Sequence, residues 1–491
     1  MAYQTVDVVR TRPLAGPVRV RPSRRWALTV LGLGLLVAAW AFVNPIGAAP
    51  QEPAYVVRAL EAVGGTVSTR LVPPQPCFAH RPERTAACLA SAPPATGVRG
   101  AGAGVLTPFL AWPTGQVERI AADGYRATYL ARVLLGLICL LLLGAAARVL
   151  GHWGLWPLAG LVMAVTPMLI FLSATATTVG VETCAAVCFG AALLARCQRE
   201  DGDGTLLLLA GSGVLLALAR PAGVVFLLAV TVAVLPLLRV SRLRGLGTLA
   251  ALLAVVAAAV LGASWSLAHQ PHRALTGPAL AQALLAVVNA RGSLLNLQVG
   301  VFGWQDTVPP ALLFAGWELM LGLLAAAGLT VGGRRSRLAL VLAAAVPVAL
   351  AATLRTVVVR PDWDTGGMYL LPALAMVPLV AGVALERSGL RPRLDTLLLG
   401  AGAAVLQLVA LWYEGRRYAV GRHGPLVFPP VAQWAPPGGW WPWLVLAAAG
   451  AALLALSLVP PLRRERRATA RPEEDHPSAV TFDTARASVG R

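Results

Sequence analysis

The sequence predicts an all-α, polytopic integral membrane protein with about twelve transmembrane helices. Of its 491 residues, 57% are hydrophobic and only 13% are charged, and the mean hydropathy is +0.69. A typical soluble domain has about 25% charged residues. Apolar runs of bilayer-spanning length recur along the chain, and short arginine-bearing segments separate them. Length, composition and charge placement therefore agree on a multi-pass membrane protein.

The first apolar run, Trp26 to Val43, follows a polar and basic tail at residues 1–25. At 1.5 Å per residue the run just crosses a hydrocarbon core of about 30 Å. The small residues Ala48 and Ala49 would also suit signal-peptide cleavage. Because the tail before the run is long, we expect an uncleaved first span.

Residues 44–125 form a long polar loop after this span. Apolar residues at Val56, Val57, Leu60 and Val63 predict a short amphipathic helix at 53–63. Many prolines make the remainder irregular. If the loop lies outside the cell, Cys77 and Cys88 are free to form a disulfide.

The other four cysteines lie in or at the end of apolar runs, where cysteine behaves as a small hydrophobe. Cys184 and Cys188 share a helix face, but no histidine or other ligand is near them in sequence. The sequence therefore indicates no metal site there.

Eleven further apolar runs follow the first loop. We expect spans at 127–150, 154–176, 177–195, 205–219, 222–238, 246–268, 309–330, 338–357, 368–386, 396–413 and 440–460.

The placement of arginine predicts the orientation, because cytoplasmic loops are enriched in basic residues. With twelve spans, all six basic segments fall on the same side of the membrane. We therefore expect a plasma-membrane protein with both termini in the cytoplasm. The polytopic membrane domain then comprises residues 26–460, and a cytoplasmic tail follows at 461–491. The outer loops are 44–125, 269–308, 358–367 and 414–439.

The net charge of +19 and an isoelectric point near 11.2 could suggest a nucleic-acid partner. All 41 basic residues are arginine and most flank apolar runs. Membrane orientation explains them better, and we expect membrane lipid as a partner and no nucleic acid.

Glu52 is the first carboxylate on the predicted outer side, on a stretch stiffened by Pro50 and Pro53. It could be a solvated loop carboxylate or a favourable charge at a helix N-terminus. Alternatively, it could act as a base or bind a divalent metal, since transfer from a phosphate-linked donor needs hard oxygen ligands at such a place.

Two more outer-loop groups are candidates for ligand binding. Trp304 and Asp306 set an aromatic face beside a carboxylate, an arrangement that can hold a sugar; the alternatives are an interface anchor and a helix cap. Arg360 and Tyr369 lie around the short loop before the tenth span, where an arginine could bind a lipid phosphate or pair with a nearby carboxylate.

Arg132 and Glu182 lie within or near predicted spans, where charges are costly and are functional candidates by default. Their alternative role is structural, as an ion pair with each other.

Several strings resemble, in order, a family of uncharacterised bacterial multi-pass membrane proteins whose opening motif reads N-P-P-x-x-x-P-D-E-x-x-H. The resemblance covers roughly residues 26–460. The matching strings are Asn44-Pro45 with Pro50-Gln51-Glu52, Arg132, Thr166-Pro167-Met168, Arg220-Pro221, Phe302-Gly303-Trp304-Gln305-Asp306-Thr307 and Tyr369-Leu370-Leu371-Pro372.

That family is similar in architecture to membrane glycosyltransferases of the GT-C fold. The resemblance implies a polyprenyl-phosphate-linked sugar donor and a divalent metal as a possible cofactor. Glu52 would be the acidic residue that these enzymes use in their first outer loop. Arg360 would then contact the phosphate, and Trp304 with Asp306 the sugar.

This sequence departs from the family pattern where the family has polar residues. Gln51 replaces its aspartate, Tyr55 its histidine, and Met368 an arginine. We therefore predict a GT-C-like glycosyltransferase for cell-envelope glycan assembly, with a degenerate, binding-only protein as the alternative. A transporter is the third possibility, although no internal repeat supports it.

Overall fold

The computed structural model describes residues 24–64, 67–95, 108–197, 203–238, 245–269, 276–357 and 367–460. The chain divides into a unit that ends at Pro460 and a second unit, 461–491, which lies outside the described residues.

Helices account for nearly all regular structure in the described residues, together with five short 3-10 turns and two isolated β-bridges. The α-helices are α1 (Arg24–Val43), α2 (Glu52–Ala62), α3 (Pro108–Glu118), α4 (Gly124–Trp153), α5 (Leu155–Ala164), α6 (Pro167–Ser173), α7 (Thr178–Arg196), α8 (Asp203–Ala219), α9 (Gly223–Val234), α10 (Leu246–His269), α11 (Gly277–Asn289), α12 (Arg291–Val299), α13 (Ala311–Val331), α14 (Arg334–Val357), α15 (Leu371–Leu374), α16 (Met376–Arg387), α17 (Leu394–Val420) and α18 (Trp441–Ser457).

The all-α, polytopic prediction is confirmed, and the number of full-length spans is smaller than predicted. Within the described ranges, eight helical segments are long and apolar enough to cross a membrane, or nine if α5 and α6 form one bent span. The other three predicted spans coincide with α8, α9 and α18, which are apolar but have only 17, 12 and 17 residues. Hydropathy located all three helices and overestimated the length of α9 and α18, whereas α8 begins two residues before the predicted run.

Helix α7 lies at the centre of the bundle, because every residue of its apolar window is buried. It packs against α4, α8 and α9. A helix that is apolar on all sides is expected in the interior. Its one carboxylate, Glu182, is consequently also buried.

Glycines allow the closest helix contacts in the bundle. A Cβ on Gly160 of α5 would lie 2.4 Å from the Pro378 carbonyl oxygen, and one on Gly382 of α16 would lie 2.4 Å from the Trp156 carbonyl oxygen. Small residues let membrane helices approach backbone to backbone. The α5–α16 crossing therefore depends on having no side chain at either position.

The predicted span 154–176 is broken by a bend of 69° between α5 and α6. Pro167 begins α6 and keeps Thr166 extended, because a residue before proline avoids the helical region. The Thr166 hydroxyl accepts a hydrogen bond from the Leu169 N–H, and Gln407 of α17 donates to the Val165 carbonyl. The polar groups released by the break thus find new partners.

The first loop folds against the bundle through α2, α3 and a disulfide-closed segment. The helix predicted at 53–63 is confirmed as α2, which packs on α3. Cys77 and Cys88 form a disulfide, as the sequence allowed. The Arg422 N–H donates to the Pro82 carbonyl, which holds the disulfide segment on the end of α17.

Helix α17 continues seven residues beyond the predicted end of its span at 413 and stops at Val420. The sequence-based boundary stopped at the first charged residue, Glu414. In the structure Glu414, Arg417 and Tyr418 are buried beneath the first loop, so the helix carries its polar residues into protein.

We expect Gly160→Ala to destabilise the protein by about 1–3 kcal/mol, because the new methyl group would overlap the Pro378 carbonyl. The matched control is Gly211→Ala on α8, where nothing lies within 4 Å of the added Cβ. That change should be neutral or slightly stabilising. Thermal unfolding of both variants in detergent makes the comparison, and equal effects would contradict the close α5–α16 contact.

Candidate functional site

The turn between α1 and α2 is the centre of the candidate site. The turn, residues 44–51, contains Pro45, Pro50 and Gly47. Gly47 has a φ of +78°, a conformation that favours glycine. Pro53 follows at the second position of α2. The chain thus leaves α1 and enters α2 through a turn of restricted backbone, with Glu52 as the first helical residue.

Glu52 is fully buried and forms a two-bonded ion pair with Arg132 of α4. The Arg132 Nε donates to Glu52 Oε1 and Nη2 donates to Oε2, each at 2.7 Å. The backbone N–H of Gly47 donates to Oε2 and that of Ala176 to Oε1, both at 2.8 Å. Each carboxylate oxygen therefore accepts two hydrogen bonds, which is its full capacity.

Arg132 also closes the C-terminal end of α1. Its Nη1 donates to the carbonyl oxygens of Ala41 and Asn44, and its Nη2 donates to that of Pro45, at 2.6–2.7 Å. Helix ends leave such carbonyls without partners and carry partial negative charge. One guanidinium thus satisfies the end of α1 and the carboxylate that opens α2.

This geometry bears on the expected roles of Glu52. A base needs a lone pair that can reach a proton, and a metal ligand needs one directed at the ion. Both oxygens of Glu52 are instead occupied by donors and shielded from solvent. The residues around Glu52 therefore do not fit a divalent metal, and in this arrangement the carboxylate is a structural group.

Trp304 and Tyr369 meet the same turn from two other directions. The Trp304 indole N–H donates to the Gly47 carbonyl at 2.9 Å, and the Gln51 amide donates to the Tyr369 hydroxyl at 2.6 Å. Trp304 is half-buried, whereas Tyr369 is 4% exposed. The structure therefore brings together Glu52, Arg132, Trp304 and Tyr369, which the sequence named in separate regions.

Glu182 pairs with Arg220, and the expected alternative of an Arg132–Glu182 pair is wrong. The Arg220 Nη1 donates to Glu182 Oε2 at 2.7 Å, and its guanidinium lies 5.1 Å from the centre of the Tyr369 ring. Sequence alone could not choose between the two arginines, because each lies near the end of a predicted span.

Asp306 belongs to a second polar cluster, next to the turn. Its Oδ2 accepts a hydrogen bond from the Arg417 Nη2 at 2.8 Å. The expected alternative of a helix cap is wrong, because Pro310 occupies the cap position of α13. Sequence reasoning missed Arg417, Glu414 and Tyr418; the signal was two charges and a tyrosine continuing the helical run after 413.

Arg360, the expected phosphate partner, lies outside the described residues. Within the described ranges, no group of three or more His, Cys, Asp or Glu side chains could hold a metal ion.

Tyr55 occupies the place of the histidine in the motif that the sequence resembles, and it points into the protein. Its hydroxyl lies 3.0 Å from the Thr114 hydroxyl and donates to the Leu110 carbonyl at 3.2 Å, so it joins α2 to α3. Burial raises the pKa of Tyr55. One turn further along α3, burial raises the pKa of Glu118 to about 9.

We expect Glu52→Gln to destabilise the protein by about 3–5 kcal/mol, because it leaves the Arg132 guanidinium buried without a counter-charge. Adding Arg132→Met should recover part of the loss. The control is Glu61→Gln, which breaks the partly exposed Arg58–Glu61 pair and should cost less than about 1 kcal/mol. Unfolding in detergent measures the stability of all three variants. A stability loss in Glu52→Gln no larger than that in Glu61→Gln would contradict the structural role of Glu52.

The titration of Glu118 predicts that stability falls as the pH rises from about 4.5 to about 9. A carboxyl with a pKa raised to about 9 in the folded chain keeps its proton between about pH 4.5 and 9, where the unfolded carboxyl has lost it. Its contribution is therefore complete below this window and falls as pH rises, by at most about 1.4 kcal/mol per pH unit.

Glu118→Gln should flatten this part of the pH profile, since the amide does not titrate. Unfolding free energies of both proteins at about pH 6 and about pH 9 make the test. Parallel profiles would mean that Glu118 is ionised in the folded protein.

Comparison with known proteins gives one family match and a distant structural similarity. No curated protein matches the chain. Two similar solved structures are ArnT from Cupriavidus metallidurans in the apo state and bound to undecaprenyl phosphate, at 16% and 14% identity. They cover 89% and 88% of this chain and 78% and 77% of theirs, with TM-scores of 0.43 and 0.39. Such values carry no argument about what this chain binds.

The family match spans most of the chain. The model described as "Predicted membrane protein (DUF2142)" matches residues 33–377, which include Glu52, Arg132, Trp304, Asp306 and Tyr369. Because this is more than half of the sequence, the chain belongs to the DUF2142 family of predicted membrane proteins.

Proposed function

We propose that this protein binds a polyprenyl-phosphate-linked sugar at the outer face of the plasma membrane, for cell-envelope glycan assembly. The observation that carries the proposal is that Trp304 and Tyr369 both hydrogen-bond to one turn, at Gly47 and at Gln51. The Arg220 guanidinium lies over the tyrosine ring. A half-buried indole and an arginine beside an aromatic ring suit a sugar joined to a phosphate.

Glu52 and Arg132 have the role of building this site. Their ion pair fixes the turn that accepts the Trp304 N–H and presents Gln51. Arg360 remains the proposed phosphate partner by its sequence position in the adjoining outer loop, and Asp306 the proposed sugar contact, since it follows Trp304 and its Oδ1 has no hydrogen-bond partner within the protein.

Two forms of the proposal differ in chemistry. As a GT-C-like glycosyltransferase, the protein would transfer the bound sugar and would need a base other than Glu52. As a binding-only protein, it would hold the lipid-linked sugar for a partner enzyme. The full occupancy of Glu52 by hydrogen-bond donors favours the binding-only form.

The first experiment measures binding of undecaprenyl phosphate to the purified protein in detergent, with phosphatidylglycerol as the competing anionic lipid. Trp304→Leu should weaken binding about tenfold, equivalent to about 1.4 kcal/mol, because the indole face is lost. The matched control is Trp441→Leu, at an exposed tryptophan at the start of α18. Equal binding of the two lipids by the unaltered protein would overturn the proposal.

The second experiment separates the two forms. Membranes carrying the protein are given a radiolabelled polyprenyl-phosphate sugar, and label in glycan is compared with membranes lacking it. Selective lipid binding without transfer supports the binding-only form, and transfer that Trp304→Leu reduces supports the transferase. Glu52→Gln is a poor probe of transfer, because it is expected to unfold the site itself.

A further inference from the structure

A cluster of buried polar atoms without partners lies beside the proposed lipid-phosphate site. Three side chains come from the last turns of α17, namely Glu414, Arg417 and Tyr418, and two come from the loop before α13, namely Asp306 and Thr307. Six of their atoms are buried and lack a hydrogen bond: Asp306 Oδ1, Thr307 Oγ1, both oxygens of Glu414, Arg417 Nε and Tyr418 OH. Buried polar atoms are nearly always paired, so such a concentration needs an explanation.

The backbone of the loop directs three of these oxygens to one place. Phe302 and Thr307 form a β-bridge, and the tight turn between them puts Gly303 at a φ of +62°. A Cβ built on Gly303 would lie 2.8 Å from Asp306 Oδ1, 3.0 Å from the Tyr418 hydroxyl and 3.3 Å from Thr307 Oγ1. Three oxygens from two elements thus lie within 3.3 Å of one point beside Gly303.

Glu414 supplies the second carboxylate and is fully buried. The hydroxyls of Thr307 and Tyr418 approach its carboxyl as hydrogen-bond donors, but neither contact has ordinary hydrogen-bond geometry. It is therefore a buried acidic side chain whose acceptor capacity is only partly used by the protein.

The charges of the cluster do not balance. Asp306 and Glu414 contribute two negative charges, and Arg417 contributes one positive charge that is already shared with Asp306 Oδ2 and the carbonyls of Phe78, Arg81 and Arg84. The neighbouring Arg132–Glu52 pair is neutral as a unit. Burying one uncompensated charge is costly, so the cluster needs one more positive charge, either a bound cation or a proton on a carboxylate.

We propose that Asp306, Thr307, Glu414 and Tyr418 bind a sodium ion. The four side chains offer only carboxylate and hydroxyl oxygens, which are ligands for hard cations and not for zinc or copper. A single positive charge would neutralise the cluster, whereas a divalent ion would leave it with a net charge of +1. This site shares Asp306 with the proposed sugar contact but uses neither Trp304 nor Tyr369. Its test needs no lipid, so either proposal can fail alone.

Sodium binding would couple the first loop to the end of α17. Arg417 holds three carbonyls of the disulfide-closed segment and one oxygen of Asp306. An ion between Asp306 and Glu414 would fix both carboxylates, and through Asp306 it would orient the guanidinium that docks the loop.

The test compares thermal unfolding of the purified protein in sodium chloride and in choline chloride at equal ionic strength. Saturating sodium should raise the Tm by roughly 2–5 °C over choline. Glu414→Gln should abolish the difference, and so should the milder Thr307→Val if the first variant does not fold. Glu61→Gln, in an exposed pair on α2, should keep it.

Three results would overturn the proposal. An equal Tm in sodium and choline would mean that water or a proton shared by the carboxyls fills the cluster. A larger rise with calcium or magnesium chloride, lost in Glu414→Gln, would make the site one for a divalent ion. A sodium-specific rise that is unchanged in both Glu414→Gln and Thr307→Val would place the ion elsewhere.

Discussion

The buried Glu52–Arg132 ion pair is the interaction on which the rest of the site depends. It joins the end of α1, the start of α2 and the first third of α4, and it also holds the Ala176 N–H between α6 and α7. A buried pair survives only when nearly every donor and acceptor is satisfied, and here all the guanidinium N–H groups and both carboxylate oxygens are. This completeness makes the turn rigid enough to receive Trp304 and to present Gln51.

Two further buried ion pairs lie at the predicted outer end of the bundle, and their polar atoms are less fully hydrogen-bonded. Arg220 pairs with Glu182, and Arg417 with Asp306. The three pairs join residues 80, 38 and 111 positions apart, so each fixes elements that are distant in sequence. The Arg417 group has one carboxylate more than its arginine can balance, which is why we propose a cation there.

The position of the first loop follows from these pairs. Its disulfide closes the segment 77–88, and the carbonyls inside that segment accept from Arg417, which is itself on α17. The break between α5 and α6 is supported similarly, by Gln407 of the same helix. Helix α17 therefore supplies polar contacts to two separate stretches of irregular backbone, and its hydropathy alone gives no sign of this.

The sequence by itself determined the class of the protein and the positions of its twelve apolar spans and α2. It did not predict α3, nor α11 and α12 within the predicted outer loop 269–308. Runs of apolar residues and the arginines between them are local features, and the twelve predicted runs all coincide with apolar helical segments. The periodicity at 53–63 was enough to predict α2, and the proline at 167 marks the bend that the predicted span overlooked.

Only the tertiary structure decided what the charged residues do. Glu52 could be read as a base, a metal ligand or a helix-end charge, and its partner Arg132 could have been assigned to Glu182 instead. The choice depends on which helices pack together, and the partners lie tens of residues apart, where no sequence spacing links them. Because a buried charge takes its role from the groups that surround it, that role became visible only with the packed bundle.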